Sequence, residues 1–125
     1  MTGGLFLLII ASVGLSAIAQ MFLKLGVGRV ATAGASADSV TSVLMAYALQ
    51  PYVILGLSLY GLGAVMWLFV LSRLPLTAAY PFVGLGFVMT MAIGAGLLGE
   101  QVTPTRLIGT LLIAAGCVLV ARSVA

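Results

Sequence analysis

Hydrophobic residues along this chain are gathered into long runs, and most of the polar residues lie between them. An α-helix of about 20 mainly apolar residues is needed to cross about 30 Å of hydrocarbon. We predict a transmembrane helix in each of four such runs: Gly4 to Leu25, Pro51 to Ser72, Pro81 to Gly99, and Pro104 to Ala121. The pattern therefore predicts an all-α membrane protein in which residues 1–125 form a single four-helix transmembrane domain.

The longest connection runs from Gly26 to Gln50, between the first and second predicted spans. Its first half is rich in Gly, Ala, Ser and Thr, and we expect it to be flexible. In its second half, apolar residues recur at helical spacing from Val40 to Tyr47, with Asp38 or Ser39 as the N-cap. This half is predicted to form a short interfacial helix.

The other connections are short enough to make neighbouring spans antiparallel. Arg73 to Leu76 joins the second span to the third, and Thr103 and Pro104 have the residue types of a cap and first turn for the fourth. Alternation along the chain then puts the charged residues on two membrane sides. One side has Lys24, Arg29, Asp38, Glu100 and Arg106, and the other has the N-terminus, Arg73 and Arg122. The cations divide too evenly for the positive-inside rule to fix an orientation.

The composition supports a membrane protein. Hydrophobic residues make up 63% of the chain, charged residues make up 6%, and the mean hydropathy is +1.34, whereas about 25% of the residues in soluble domains are charged. The net charge of +3 comes from residues at helix ends and in loops, so interface anchoring explains it better than nucleic-acid binding. Cys117 is the only cysteine, so it has no partner for an intrachain disulfide and fits small-residue packing.

The N-terminal segment imitates a secretory signal peptide, because Ala17-Ile18-Ala19 resembles a cleavage site. It has no basic n-region, and its apolar run continues beyond Ala19 as far as Leu23. We therefore expect this first helix to be retained.

Polar residues in the first span are the leading candidates for a functional site, because polar side chains in hydrocarbon are costly. Ser16, Gln20 and Lys24 are spaced by four and therefore share one helix face. We call them the polar ladder. The ladder either faces a substrate, or Ser16 and Gln20 bond neighbouring helices while Lys24 reaches the lipid headgroups.

Glu100 is predicted to lie on the same membrane side as Lys24 and Arg106. These charges either form a structural ion pair that fixes the end of the bundle, or they bind a ligand. In the second case a cation would hold a phosphate while Glu100 accepts from a substrate ammonium. Three aromatic residues, Tyr60, Trp67 and Tyr80, are further candidates for lining a cavity, although anchoring at the membrane interface explains them equally well.

Chemistry for catalysis is missing from the sequence. It has no histidine, no acidic residue in the first span, no paired carboxylates and no metal-ligand cluster. We therefore expect neither an enzyme nor a cofactor or metal.

Four short helices enclose little volume, so we also expect a dimer. Gly109 and Gly116 share a face of the fourth span and either form the dimer seam or pack within the protomer.

Three motifs resemble the four-helix branch of the drug/metabolite transporter superfamily, and the resemblance covers essentially the whole chain. They are Gln20-xxx-Lys24-x-Gly26, Trp67-Leu68-xx-Leu71-Ser72-xx-Pro75-Leu76-xx-Ala79-Tyr80-Pro81, and Gly99-Glu100-xxx-Pro104-x-Arg106-xx-Gly109. Within the superfamily, the chain is most similar to the small EamA-like flippase subunits for undecaprenyl-phosphate-linked aminoarabinose. The resemblance implies a bacterial inner-membrane protein that moves a polyprenyl-phosphate-linked sugar or a related lipid phosphate between leaflets, as a homodimer or with a related subunit.

Two alternatives to this function stay open. Small multidrug resistance proteins have the same size and helix count, and export cationic compounds using a glutamate in helix one. This chain has Ser12 to Ser16 in the corresponding stretch, although Glu100 could take over that role from another helix. The other alternative is an accessory subunit that stabilises a larger membrane complex.

Overall fold

The computed structural model describes residues 2–32 and 39–124. In chain order, this part of the molecule forms α1 (Gly3–Thr32), α2 (Val40–Leu49), α3 (Pro51–Leu71), α4 (Leu76–Ala79), a 3-10 turn (Tyr80–Val83), α5 (Gly84–Gly96) and α6 (Pro104–Val124). Four segments are long and apolar enough to cross a membrane: α1, α3, the composite span Leu76–Gly96, and α6. The predicted fold class is confirmed, including the short helix between the first two spans.

The predicted end of the first span, at Leu25, is wrong, because α1 continues to Thr32. The glycines beyond Leu25 are typical of a loop, but Gly26 serves a close helix contact. A Cβ added there would lie 2.8 Å from the backbone nitrogen of Val53. Over 30 residues α1 is about 45 Å long, so it extends beyond the hydrocarbon.

Local capping explains where the other helices begin. At α2, the Ser39 hydroxyl accepts from the backbone N–H of Ser42 at 3.2 Å, as predicted. The alternative cap Asp38 lies in residues 33–38, which are outside the described residues, whereas Gly26 to Thr32, predicted as part of a flexible connection, belong to α1. Pro51 occupies the first turn of α3. At α6, the Thr103 hydroxyl accepts from the backbone N–H of Arg106 at 3.2 Å.

The third span is shifted at both ends, since it begins at Leu76 instead of Pro81 and ends at Gly96 instead of Gly99. Pro81 lies inside the 3-10 turn because proline lacks an N–H and its ring clashes with the preceding helical turn. The Cys117 thiol donates to the Pro81 carbonyl oxygen at 2.8 Å, which holds α6 against this turn. At the remaining ends, α3 stops at Leu71 and α6 at Val124, within one turn of prediction.

Helix α1 lies at the centre of the bundle and packs against α3 and α5. Close approach depends on glycine, because lipid gives helices no hydrophobic incentive to associate and small residues allow tighter packing. A Cβ at Gly56 would lie 3.0 Å from the carbonyl oxygen of Ala19. The buried apolar cluster, by contrast, is confined to one end of the bundle, where it consists of Ile9, Val13, Val70, Ala79 and Phe82.

Gly26→Ala is expected to destabilise the protein by about 1–3 kcal/mol, because the new methyl group would overlap the backbone of Val53 and force α1 and α3 apart. Gly28→Ala is the matched control in the same helix, since nothing lies within 4 Å of its added Cβ. Denaturant titration in detergent micelles measures both variants. Equal stability of the two would contradict the assigned contact.

Candidate functional site

A cavity of about 650 Å³ lies between α1, α3 and the third span. The buried cluster closes one end of it, with Val13 belonging to both, and Lys24 and Glu100 lie at the other end. From Ser12 to Lys24 the cavity follows α1 for about 18 Å, roughly half the thickness of a bilayer. The cavity is therefore a pocket that reaches into the membrane from one side.

All three residues of the polar ladder line this cavity. Sequence reasoning missed a fourth member, Ser12, which lies one turn deeper and is buried. Its hydroxyl donates to the Gly63 carbonyl oxygen at 2.9 Å, while the Ser16 hydroxyl donates to the Ser12 carbonyl oxygen at 3.0 Å. The four-residue spacing that identified the ladder also includes Ser12 and could have found it. Helix bonding thus occupies the serine hydroxyls, and Gln20 and Lys24 are the ladder's larger polar groups.

Lys24 and Glu100 meet at the open end of the cavity, where Nζ lies 3.7 Å from Oε1. Their side chains are 67% and 48% exposed. A pair this exposed contributes at most about 1 kcal/mol to stability. The fold therefore depends little on the contact, and both charged groups are accessible to a ligand.

The turn after α5 positions Glu100. Gly99 has a φ of +68°, a left-handed conformation that favours glycine, and it reverses the chain. The backbone N–H of Glu100 then donates to the Gly94 carbonyl oxygen at 2.9 Å. The carboxylate lies directly over Gly94, where an added Cβ would be 2.9 Å from Oε2.

Gly94→Ala is expected to displace the Glu100 carboxylate without unfolding the protein, because the new methyl group meets only the end of a flexible side chain. Any activity that depends on Glu100 should fall by about threefold to tenfold, as expected for partial loss of a charge-assisted hydrogen bond. Gly96→Ala is the matched control, since nothing lies within 4 Å of its Cβ. Parallel activity measurements on the two variants should differ, and equal activity would exclude this positioning.

The predicted aromatic residues also line the cavity: Tyr60 and Trp67 from α3, and Tyr80 from the 3-10 turn. Sequence reasoning missed Thr90 of α5, whose hydroxyl donates to the Gly86 carbonyl oxygen at 2.8 Å. Indole and phenol rings beside an amide, an ammonium and a carboxylate provide stacking and hydrogen bonding for a polar headgroup.

The other predicted cations lie outside this cavity. Arg106 donates from Nη1 to the Gln101 carbonyl oxygen at 3.1 Å and lines a second cavity between α5 and α6. Arg29 lies over the ring of Tyr52, with its Cζ 4.5 Å from the centroid, in a cation–π contact at the end of α1.

Gly109 and Gly116 have open space around them, since no described atom lies within 4 Å of an added Cβ at either position. They therefore do not mediate close packing between α6 and the rest of the protomer, which was one of the two interpretations of their spacing. Only 6% of the most apolar stretch of α6 is buried, so this helix is peripheral. A seam with a second subunit stays a prediction.

Four apolar spans around a pocket that opens on one membrane side define a small multi-pass membrane protein. Within residues 2–32 and 39–124, no group of three His, Cys, Asp or Glu side chains could hold a metal ion. The chain belongs to the family of 4-amino-4-deoxy-L-arabinose-phosphoundecaprenol flippase subunits that includes ArnE and ArnF. This membership confirms the resemblance noted from the motifs.

The family assignment depends on three relatives in particular. The chain is 31% identical over 118 residues to probable flippase subunit ArnF of Aeromonas hydrophila, covering 92% of this chain and 78% of that protein. It is 39% identical over 74 residues to probable subunit ArnE of Pseudomonas aeruginosa, covering 59% and 64%. The ArnE of Salmonella paratyphi B is 40% identical over 67 residues, covering 52% and 60%.

The match to the Pseudomonas ArnE spans 64% of that protein's length. No protein-family model and no solved structure matches the chain significantly. The names of the relatives describe subunits of a flippase and not enzymes, in agreement with the prediction that the chain is not an enzyme.

Proposed function

We propose that the chain is a subunit of a bacterial inner-membrane flippase that moves a polyprenyl-phosphate-linked sugar, in particular an amino sugar, between leaflets. The observation that carries the proposal is the Lys24–Glu100 pair at the mouth of a pocket that ends half-way through the membrane and has the polar ladder along one wall. A headgroup that carries both a phosphate and an ammonium needs one group of each charge. The names of ArnE and ArnF support the same ligand class, because both refer to aminoarabinose-phosphoundecaprenol.

The roles of the eight predicted site residues follow from their places around the pocket. Lys24 holds the phosphate and Glu100 accepts from the amino group, because charge-assisted hydrogen bonds are the strongest ones available. Gln20 and Ser16 continue the polar surface inward from Lys24. Tyr60, Trp67 and Tyr80 contact the face of the sugar. Arg106, at the rim of the second cavity, lies on the phosphate side.

A second subunit is part of this proposal. Among the described helices, α3 and α5 do not pack against each other, so the pocket is open to the side between them. A side opening into lipid would leave the polar ladder without a complete wall, and a partner of the same four-helix form would supply one. The relatives' names also contain the word subunit. We therefore propose a single four-helix domain that acts as a homodimer or beside a related subunit.

Reconstitution into vesicles tests the proposal. A fluorescent polyprenyl-phosphate-linked amino sugar should cross the bilayer faster with the protein, alone or with a related subunit, than in empty vesicles. Phosphatidylcholine should not, because its quaternary ammonium has no N–H to donate to Glu100. Accumulation of a lipophilic cation driven by a pH gradient, with no lipid movement, would favour the exporter alternative. Absence of both activities with every subunit combination would leave only an accessory role and overturn the proposal.

A further inference from the structure

A second cavity of about 570 Å³ lies between α5 and α6. It is on the other side of α5 from the cavity between α1, α3 and the third span, which we call the headgroup pocket. The proposed function assigns two of its rim residues, Glu100 and Arg106, and gives the rest of the cavity no role. The rim is polar, with Glu100, Gln101 and Arg106, whereas Phe87, Met91 and Ile113 make the deeper walls apolar. Charged side chains at the membrane surface with apolar side chains beneath them match a lipid whose headgroup lies at the surface and whose tail extends into the leaflet. We call this cavity the lateral cleft.

The lateral cleft has the shape of a wedge. At its closed end the helices touch, because a Cβ at Gly84 would lie 2.7 Å from both the Cys117 Sγ and the Ile113 Cγ2. Nearer the rim, Gly109 has no atom within 4 Å of an added Cβ. Between Arg106 and Ile113 the wall of α6 is about 10 Å long. An extended hydrocarbon chain of that length fits along it.

The lateral cleft adjoins the headgroup pocket across α5 and the turn that follows it. Phe87, Thr90 and Glu100 line both cavities, so a group bound at Glu100 lies beside the top of the cleft. Between α1 and α3 the pocket has no comparable exit, because Gly56 and Gly63 bring these helices into close contact. The gap between α3 and α5 is the rival exit, and Tyr60 and Tyr80 flank it. The cleft differs in having a second cation, Arg106, at its rim.

We propose that the lateral cleft holds the first isoprene units of the substrate's polyprenyl chain, with Arg106 beside the phosphate. The inference rests on the proposed function, because it assigns the tail of the same lipid whose sugar occupies the pocket. Glu100 then marks the boundary between headgroup and tail. The rest of the chain lies in the bilayer, so no closed apolar chamber is required. Both faces of α5 contact the substrate in this arrangement.

Photo-crosslinking tests the location of the chain. The reconstituted protein is irradiated with a polyprenyl phosphate that carries a diazirine in its first isoprene unit, with and without excess unlabelled lipid. Competable label is expected on α5 near Met91 and on α6 near Ile113. Competable label on α3 near Tyr60 would overturn the assignment of the polyprenyl chain to the lateral cleft and leave the flippase proposal standing. Absence of competable label anywhere would contradict both.

A pair of tryptophan variants separates the tail from the headgroup. Gly109→Trp should fill the cleft and weaken binding of the polyprenyl phosphate by at least about tenfold, because each buried methylene adds to affinity. Binding of a chain-free amino-sugar phosphate should not change. Val118→Trp adds a bulky ring to the exposed opposite face of α6, away from the cleft and from the predicted glycine seam, and is the control. Equal effects of the two variants, or no effect of Gly109→Trp, would overturn the inference.

Discussion

Replacing Glu100 with glutamine is expected to lower lipid translocation by at least about tenfold. Glutamine keeps the size of the side chain but removes the negative charge that accepts from a substrate ammonium. A hydrogen bond to a charged group contributes about 1.5–3 kcal/mol, and 1.4 kcal/mol corresponds to a factor of about ten. The fold should survive, because Glu100 is 48% exposed and its pair with Lys24 contributes little to stability. The initial rate of translocation in proteoliposomes is the measurement.

The matched control for this variant moves the charge by one residue. In the double variant Glu100→Gln, Gln101→Glu, the net charge is restored, but the carboxylate is no longer beside Lys24 and the pocket. We expect this variant to remain as slow as Glu100→Gln itself. Normal translocation by Glu100→Gln would exclude a role for the carboxylate in substrate binding.

The second large effect is expected from Lys24→Glu, which should reduce translocation by about a hundredfold or more. The variant removes the cation that holds the phosphate and places a second carboxylate near Glu100, so an anionic headgroup meets repulsion instead of attraction. Insertion into the membrane should be unaffected, because the residue lies at the open end of the pocket. Translocation rates per reconstituted protein measure the loss.

A charge swap distinguishes ligand binding from a structural ion pair. The double variant Lys24→Glu, Glu100→Lys can restore the contact at the pocket mouth, but it reverses which side of the pocket carries each charge. A purely structural pair predicts that both stability and translocation return. We expect the stability to return and the translocation to stay low, and recovery of both would support the structural alternative.

Much of the pocket mouth could be predicted from the sequence, because hydrocarbon restricts where charges can lie. With four spans and short connections, Lys24 and Glu100 had to lie on the same membrane side, and the structure puts them 3.7 Å apart. Spacing by four placed the ladder on one face of α1, and that face lines the pocket. These inferences needed only helix geometry and the cost of polar groups in lipid.

The errors arose where the outcome depends on a neighbouring helix. Gly26 is typical of a loop until Val53 is known to lie against it, so the extension of α1 to Thr32 was missed. Pro81 marks a helix start or an internal break equally well, and the contact with Cys117 belongs to another helix. Arg106 shares a membrane side with Lys24, but its guanidinium is bonded to Gln101 and faces the lateral cleft.

Protection of a cysteine inside the pocket tests most directly whether the headgroup binds there. Ala64 of α3 lines the pocket and is exposed, so Ala64→Cys in a Cys117→Ser background gives one thiol for a water-soluble maleimide. We predict that polyprenyl-phosphate-linked amino sugar slows labelling strongly and that phosphatidylcholine, whose quaternary ammonium has no N–H to donate, does not. We also predict that Lys24→Glu abolishes the protection. Unchanged labelling at a lipid concentration that saturates translocation would contradict the account.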